Sequence, residues 1–140
     1  MAVIMDLYSR RVIGWAVSNH MKRDLAIRAL KMAIALRRPP KGCIHHTDRG
    51  VQYCSNAYQK LLDGHDFEVS MSGKENCYDT AAVETFFKTL KSELIWRNTW
   101  ATRRQVQIAV FEYVNGFYNP RRRHSTLGGK SSLSFEKKAA

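Results

Sequence analysis

Two carboxylates are the residues best placed by type and spacing to do chemistry. Asp48 stands just past a short apolar run, Cys43-Ile44-His45-His46-Thr47, and Glu84 stands early in a segment of helical spacing, with thirty-five residues between them. At about 100° of rotation per residue, Glu84 borders the apolar stripe of its helix and can point at the strand end where Asp48 emerges. A strand-end acid and a facing helical acid can hold a hard divalent cation. Mg²⁺ takes one or two carboxylates and fills its octahedron with water and phosphate oxygens. The plainer reading is two solvated acids, and spacing alone leaves both open. Lys88 and Lys91 follow Glu84 at four and seven residues, on the same face. They form either an ordinary Glu–Lys helix pair, worth about 0.3–0.5 kcal/mol, or cations that meet phosphates beside the metal.

The charge balance favours phosphates. The chain has 140 residues, with 23 Lys and Arg against 12 Asp and Glu, a net charge of +11. An excess that size in one small domain points to a polyanion. Hydrophobic residues at 44% and charged residues at 25% are globular usage. No apolar run reaches the ~20 residues of a membrane helix, and the start Met-Ala-Val-Ile-Met-Asp lacks a secretory pattern. Cys43, Cys54 and Cys77 are an odd, widely spaced set. They suit free thiols in a reducing cytoplasm better than disulfides. A zinc site built on Cys43 or Cys54 would lack a second ligand pair of the usual spacing.

The elements that must position the acids follow from patterning. Ala2 to Tyr8 and Arg11 to Ser18 read as an antiparallel hairpin with Ser9-Arg10 between them. A helix is expected over 22–38, capped by Asp24, with Ala26, Ile27, Leu30, Ala33 and Ile34 as its stripe. A strand over 42–47 ends at Asp48, a short helix runs from Asn56 to Leu62, and a strand covers Phe67 to Met71. One of His45 and His46 is expected to be buried and hydrogen-bonded, because alternate strand residues face opposite sides. Asp79 caps a helix from about Thr80 to Trp96 with Val83, Phe87, Leu90 and Leu94 inward. Thr102 and Gln105 form a capping box for a last long helix whose stripe is Val106, Val110, Tyr113, Val114 and Phe117. Trp15, Trp96 and Trp100 read as packing residues. Residues 119–140 read as a basic, poorly ordered tail on a core of 1–118. A hairpin followed by βα units predicts a mixed sheet with helices on its faces.

Four stretches together are distinctive: MDLYSRRVIGWAVS, HHTDRGVQYCS, SMSGKENCYDTAAVETFFKTLKSEL and YNPRRRHSTLG. They resemble the larger open reading frame of bacterial insertion-element transposases, within a retroviral-integrase-like catalytic core. The resemblance runs from Ala2 to about Phe135. It implies an RNase-H-like α/β fold and a triad of two aspartates and one glutamate that binds two Mg²⁺ or Mn²⁺ ions. Asp48 would be the second acid and Glu84 the third. The implied chemistry is DNA strand cleavage at element ends and transfer of those ends to a target, with one ion activating the nucleophile and the other stabilising the leaving oxygen. The implied partners are element-end and target DNA and further copies of the intact protein, in the bacterial cytoplasm and on the nucleoid, with no membrane. Asn76 in the loop and the run Arg121, Arg122, Arg123 become candidate DNA contacts beside Lys88 and Lys91.

The first acid of such a triad would precede the position matched by Asp6, on a central strand upstream of Met1. The chain is therefore expected to be a catalytically incomplete fragment lacking that strand. Alone, it is expected to bind DNA weakly without nicking it, and to be poorly soluble or non-monomeric. Asp6 is not a substitute: its expected role is to fix the hairpin turn by accepting backbone hydrogen bonds. The loop SGKEN, Asp79-Thr80 and KSSLSF depart from the more usual family residues. A non-catalytic nucleic-acid-binding remnant and an RNase-H-like nuclease that cuts without joining remain as alternatives.

Overall fold

The structure, a computed structural model, describes residues 1–17, 23–47, 55–71 and 77–139. The chain divides into two units, Met1–Ile4 with Ile13–Val83 and Met5–Val12 with Glu84–Ala140. Strands β1 (Ala2–Met5) and β2 (Val12–Ala16) pair in a two-stranded sheet. Their short connection permits only the antiparallel arrangement. Asp6 fixes the turn as expected: its Oδ1 accepts hydrogen bonds from the backbone N–H of Tyr8 at 2.9 Å and of Ser9 at 3.4 Å. Arg10 closes the turn with φ of 60°, a conformation that a side chain adopts only when its surroundings impose it.

In the first unit, helix α1 (Arg23–Arg37) is buried on two sides. Leu25 and Ala29 pack with Ala2, Ala16 and Ile4, while Ala26 and Leu30 pack with Tyr58 and Leu62. The expected stripe holds for Ala26, Leu30 and Ala33, with Ile27 and Ile34 half-buried. It omits Leu25 and Ala29, because two-sided burial widens the stripe beyond one face. Gly14 sets how closely β2 meets the helix. A Cβ there would run into the carbonyl oxygen of Ala29 and lie 3.0 Å from the nitrogen of Ala33.

Strands β3 (Ile44–Thr47) and β4 (Glu68–Met71) pair in parallel with Ile44 opposite Glu68. The intervening helix α2 (Asn56–Gly64) supplies the crossover that parallel pairing requires. Ser55 caps α2, its hydroxyl accepting from the N–H of Tyr58 at 3.3 Å.

The second unit carries α3 (Cys77–Leu90), extended by a wider, π-type turn over Lys91–Ile95. It also carries α4 (Arg103–Tyr113), extended likewise over Val114–Tyr118. The expected capping box is present: Thr102 accepts from the N–H of Gln105 at 3.2 Å, and the Gln105 amide oxygen accepts from the N–H of Ala101 at 2.9 Å. Helix α3 starts at Cys77, so Asp79 lies inside its first turn rather than before it. Phe86, Thr89 and Leu90 are buried, with Val83, Phe87 and Leu94 only half-buried. Phe86 meets Tyr118 edge-on at 4.8 Å, a geometry that aromatic rings favour. At the end of the α4 segment the π turn carries the inward direction past Phe117, which is exposed, to buried Tyr118. Trp96, expected in packing, is 74% exposed.

The segment after Tyr118 is ordered, unlike the expected tail. Strand β5 (Arg123–His124), a 3₁₀ turn over Ser125–Leu127, strand β6 (Lys130–Ser131) and helix α5 (Ser132–Ala139) follow in turn. Gly128 and Gly129 reverse the chain at φ of 67° and 80°, where glycine is unstrained. Its order comes from contacts remote in sequence. Glu136 pairs with Arg11 at 3.5 Å and accepts from the Ser9 hydroxyl at 3.2 Å, and Phe135 meets Tyr8 edge-on at 5.1 Å.

Asn119 joins these parts. Its Oδ1 accepts from the N–H of Val12 at 2.9 Å, its Nδ2 donates to the carbonyl of Val12 at 3.0 Å, and its carbonyl accepts from the N–H of Leu133 at 3.1 Å. Asn119→Ala leaves both backbone groups of Val12 without these partners, at about 1–3 kcal/mol each. We expect its melting temperature to fall by roughly 10 °C. Asn115→Ala, at an exposed neighbouring position, should melt within a degree or two of the parent by calorimetry.

Candidate metal and nucleic-acid site

Glu84 sits on the exposed side of α3, two residues from the buried ring of Phe86. That ring also meets its chain neighbour Phe87 at 5.7 Å. Lys88 and Lys91 are exposed as well. Glu84, Lys88 and Lys91 therefore share one solvent-facing surface, with an acid that can offer oxygen ligands and two cations beyond it. Asp48 and Asn76 lie outside the described residues. The strand that leads to Asp48 is described: β3 ends at Thr47. His45 is buried, as expected of one of the pair. Its Nε2 shares a hydrogen bond of 2.8 Å with the Tyr58 hydroxyl, and its ring also packs against Phe67. The strand before Asp48 is thus tied to the crossover helix. Among the described residues no group of three His, Cys, Asp or Glu side chains could hold a metal ion. Cys43 is a free, half-buried thiol.

The three arginines divide. Arg121 and Arg123 are exposed, whereas Arg122 is turned inward. Its guanidinium lies 3.4 Å from Glu93 and 3.5 Å from the Thr89 hydroxyl. Tyr113 donates its phenol proton to the other Glu93 oxygen at 2.9 Å. One carboxylate thereby links the end of the α3 segment, α4 and the residue preceding β5. No spacing signal separates Arg122 from its neighbours; its partner Glu93 lies in the wider turn that follows α3.

Burial governs the titrations here. Tyr113 is pushed well above the ordinary phenol range by desolvation and then by its bond to Glu93. Tyr118 is raised to about 12, chiefly by burial and against the pull of Arg122 and Arg10. His124 is lowered from 6.5 by burial, then by the positive charges of Arg122 and Arg10.

The alternation of small paired strands and helices defines an α/β domain of the integrase-core kind. Two solved structures share the fold. The simian T-cell lymphotropic virus intasome in complex with PP2A regulatory subunit B56 gamma matches at a TM-score of 0.68 and 20% identity, over 95% of this chain and 46% of that one. The HTLV-2 integrase catalytic core domain, in complex with magnesium and in trimeric form, matches at 0.66 and 18% identity, over 95% of this chain and 81% of that one. Residues 1–77 match one integrase core domain family model, and residues 84–139 match a second of the same description. The chain belongs to the integrase core domain family.

Among relatives in sequence, the transposase InsF for insertion sequence IS3A of Escherichia coli strain K12 is 48% identical over 138 residues. That alignment covers 99% of this chain and 48% of InsF. An uncharacterized 31 kDa protein of insertion element IS600 from Shigella sonnei is 40% identical, over 99% of this chain and 51% of its own length. The chain spans about half the length of the curated relatives it matches. No helix of the described residues is long and apolar enough to cross a membrane.

The lowered His124 pKa has a definite sign. The folded state holds the ring neutral more strongly than the unfolded chain does. The stability this contributes is complete above pH 6.5 and is lost as pH falls below that value towards the folded pKa. His124→Gln should flatten the acid side of a melting-temperature profile between pH 7 and 5. An unchanged slope would place the acid sensitivity elsewhere.

Proposed function

We propose that this chain supplies the part of a DNA-transposition catalytic core that carries two of its metal-binding acids, Asp48 and Glu84. The reaction is cleavage of a phosphodiester at the end of an insertion element, followed by joining of that end to a target strand. The observation that carries the reading is the pairing of family and residues. Asp48 falls within the family match over 1–77, and Glu84 is the first residue of the match over 84–139. The relatives in sequence include a named insertion-sequence transposase.

The donor chemistry fits the family's metal. Glu84 is an exposed carboxylate on an anchored helix, and carboxylate oxygens are the ligands Mg²⁺ and Mn²⁺ accept. A bound ion there supplies Lewis-acid activation of the attacking water or hydroxyl and neutralises charge at the phosphate. Asp48 and Glu84 are the residues that would hold it. Lys88 and Lys91 neutralise neighbouring phosphates and orient the strand. Asn76, just before α3 in sequence, contacts DNA, and Arg121 and Arg123 bind the backbone. Arg122 acts by holding the residues before β5 against Glu93. The working protein assembles as a homo-oligomer on DNA, in the cytoplasm and on the nucleoid.

The test grafts this chain in place of the matching half of the Escherichia coli relative. The chimera is expected to nick element-end DNA in Mn²⁺. Asp48→Asn or Glu84→Gln within the graft should lower nicking by at least 10³-fold while DNA binding stays within about twofold. A chimera that folds, binds element ends and nicks equally well without either acid would overturn the assignment.

A further inference from the structure

We propose that Trp96 is a stacking platform for an unpaired base of the DNA strand whose phosphates meet Lys88 and Lys91. The inference rests on the transposition reading for its partner and adds a base contact that this reading does not contain.

The wider turn after α3 decides where the indole stands. In an unbroken α-helix the N–H that bonds the Lys91 carbonyl belongs to the fourth residue on, Ile95. Here it belongs to Trp96, at 2.8 Å, because one more residue is wound into the turn. Trp96 keeps helical angles, with φ of −77° and ψ of −15°. It therefore takes the place one turn beyond Lys91 on the same face. At about 100° per residue from Glu84, an unbroken helix would carry position 96 about 120° round, off that face, and the extra residue returns it to about 20°. From Lys91 to Trp96 the rise is about 5.4 Å, between one and two base steps of about 3.4 Å. A base beside a phosphate held by Lys91 reaches the ring.

The residues that follow turn back on the helix and leave the indole in solvent. Arg97 Nε donates to the carbonyl of Ser92 at 3.1 Å, Asn98 Nδ2 to that of Leu94 at 2.9 Å and Trp100 Nε1 to that of Ile95 at 3.1 Å. These bonds satisfy carbonyls that a helix end otherwise leaves to water, and they fix the backbone that carries Trp96. The indole is 74% exposed and has no hydrogen bond or ring contact among the described residues. A single apolar side chain on a surface needs no explanation by itself. This one is a broad, rigid ring on a fixed backbone, in line with two lysines, and with two side-chain torsions it costs little to order.

The surroundings choose the occupant. Ser92, Arg97, Asn98 and Thr99, its neighbours at the helix end, are exposed and polar. The ring therefore lacks the wide apolar face that a membrane-bound helix inserts. A second copy meeting this surface face to face would set Lys88, Lys91 and Arg97 against their own kind. A nucleic-acid strand brings phosphates to the cations and a π face to the indole, and every base has such a face.

The experiment measures binding of the 140-residue chain, by fluorescence anisotropy, to an oligothymidylate and to an abasic strand of equal length and charge. Trp96→Ala should weaken binding to the oligothymidylate by at least about fivefold, the lower end for one base–aromatic stack, and leave the abasic strand within about twofold. Trp96→Tyr should retain most of the affinity, whereas Trp96→Leu, apolar without a ring, should behave like Trp96→Ala. The slope of log affinity against log salt should stay that of the parent, because no cation is removed. Trp96→Ala that binds both strands like the parent overturns the inference. So does an equal loss on both strands, full retention by Trp96→Leu, or a parent chain that binds neither strand. Tighter binding of the parent to oligouridylate RNA, lost in Trp96→Ala, overturns it by assigning the ring to RNA. A lower mass of Trp96→Ala by light scattering, with unchanged affinity for oligothymidylate, overturns it by assigning the ring to an interface between copies. If Trp96→Ala loses the base-dependent binding while the grafted chimera nicks without Asp48 or Glu84, the transposition reading fails and the stacking site stands. If the chimera needs both acids and Trp96→Ala binds like the parent, the reverse holds.

Discussion

The second unit depends on a side-chain amide that imitates a strand. Asn119 offers one acceptor and one donor to the two backbone groups of Val12, 107 residues away in sequence. Asparagine is suited to this because its amide presents the same pair of groups as a peptide. Neither bond can be exchanged for water, since both partners are buried. The same residue receives the N–H of Leu133 on its carbonyl. The hairpin, the end of the α4 segment and the start of α5 therefore converge on one residue.

Features determined locally were legible from residue types. Asp6 accepts the turn N–H groups, and Thr102 with Gln105 closes the start of α4. These motifs use neighbours within a few residues, so composition and spacing contain all the information. The buried faces were legible only in part. Phe86 and Tyr118 replace Phe87 and Phe117 as the innermost aromatics. The second shift lies in a π-type turn, which changes the angular step that a 3.6-residue period assumes. A periodicity reading has no means of seeing such a turn in advance.

The C-terminal segment was misjudged for a different reason. Its composition, basic and rich in Ser and Gly, matches that of many disordered tails. Its order is tertiary and comes from Glu136 with Arg11 and Ser9, and from Phe135 with Tyr8. The arginine run shows the same limit at single-residue scale. Three adjacent guanidinium groups are identical as letters, yet Arg122 faces Glu93 and its neighbours face solvent. In the candidate site, the type and placement of Glu84, Lys88 and Lys91 were legible because an exposed helical face is a local property.

The wider turns also bear on how Glu84 is held. Glu93 lies nine residues beyond it, about 13 Å along the same helical axis, inside the π segment. There it joins Tyr113, at the end of α4, to Arg122, before the ribbon. A half-buried ion pair of this kind stabilises little by its charges alone, because desolvation offsets much of the attraction. Its effect is directional, since a carboxylate shared between a phenol and a guanidinium fixes the helix in rotation and in register. Phe86 against Tyr118 fixes the same helix nearer Glu84. With rotation set at two points, an exposed acid between solvent and core has little freedom to turn away. That is what the proposed role of Glu84 as a metal ligand asks of its helix.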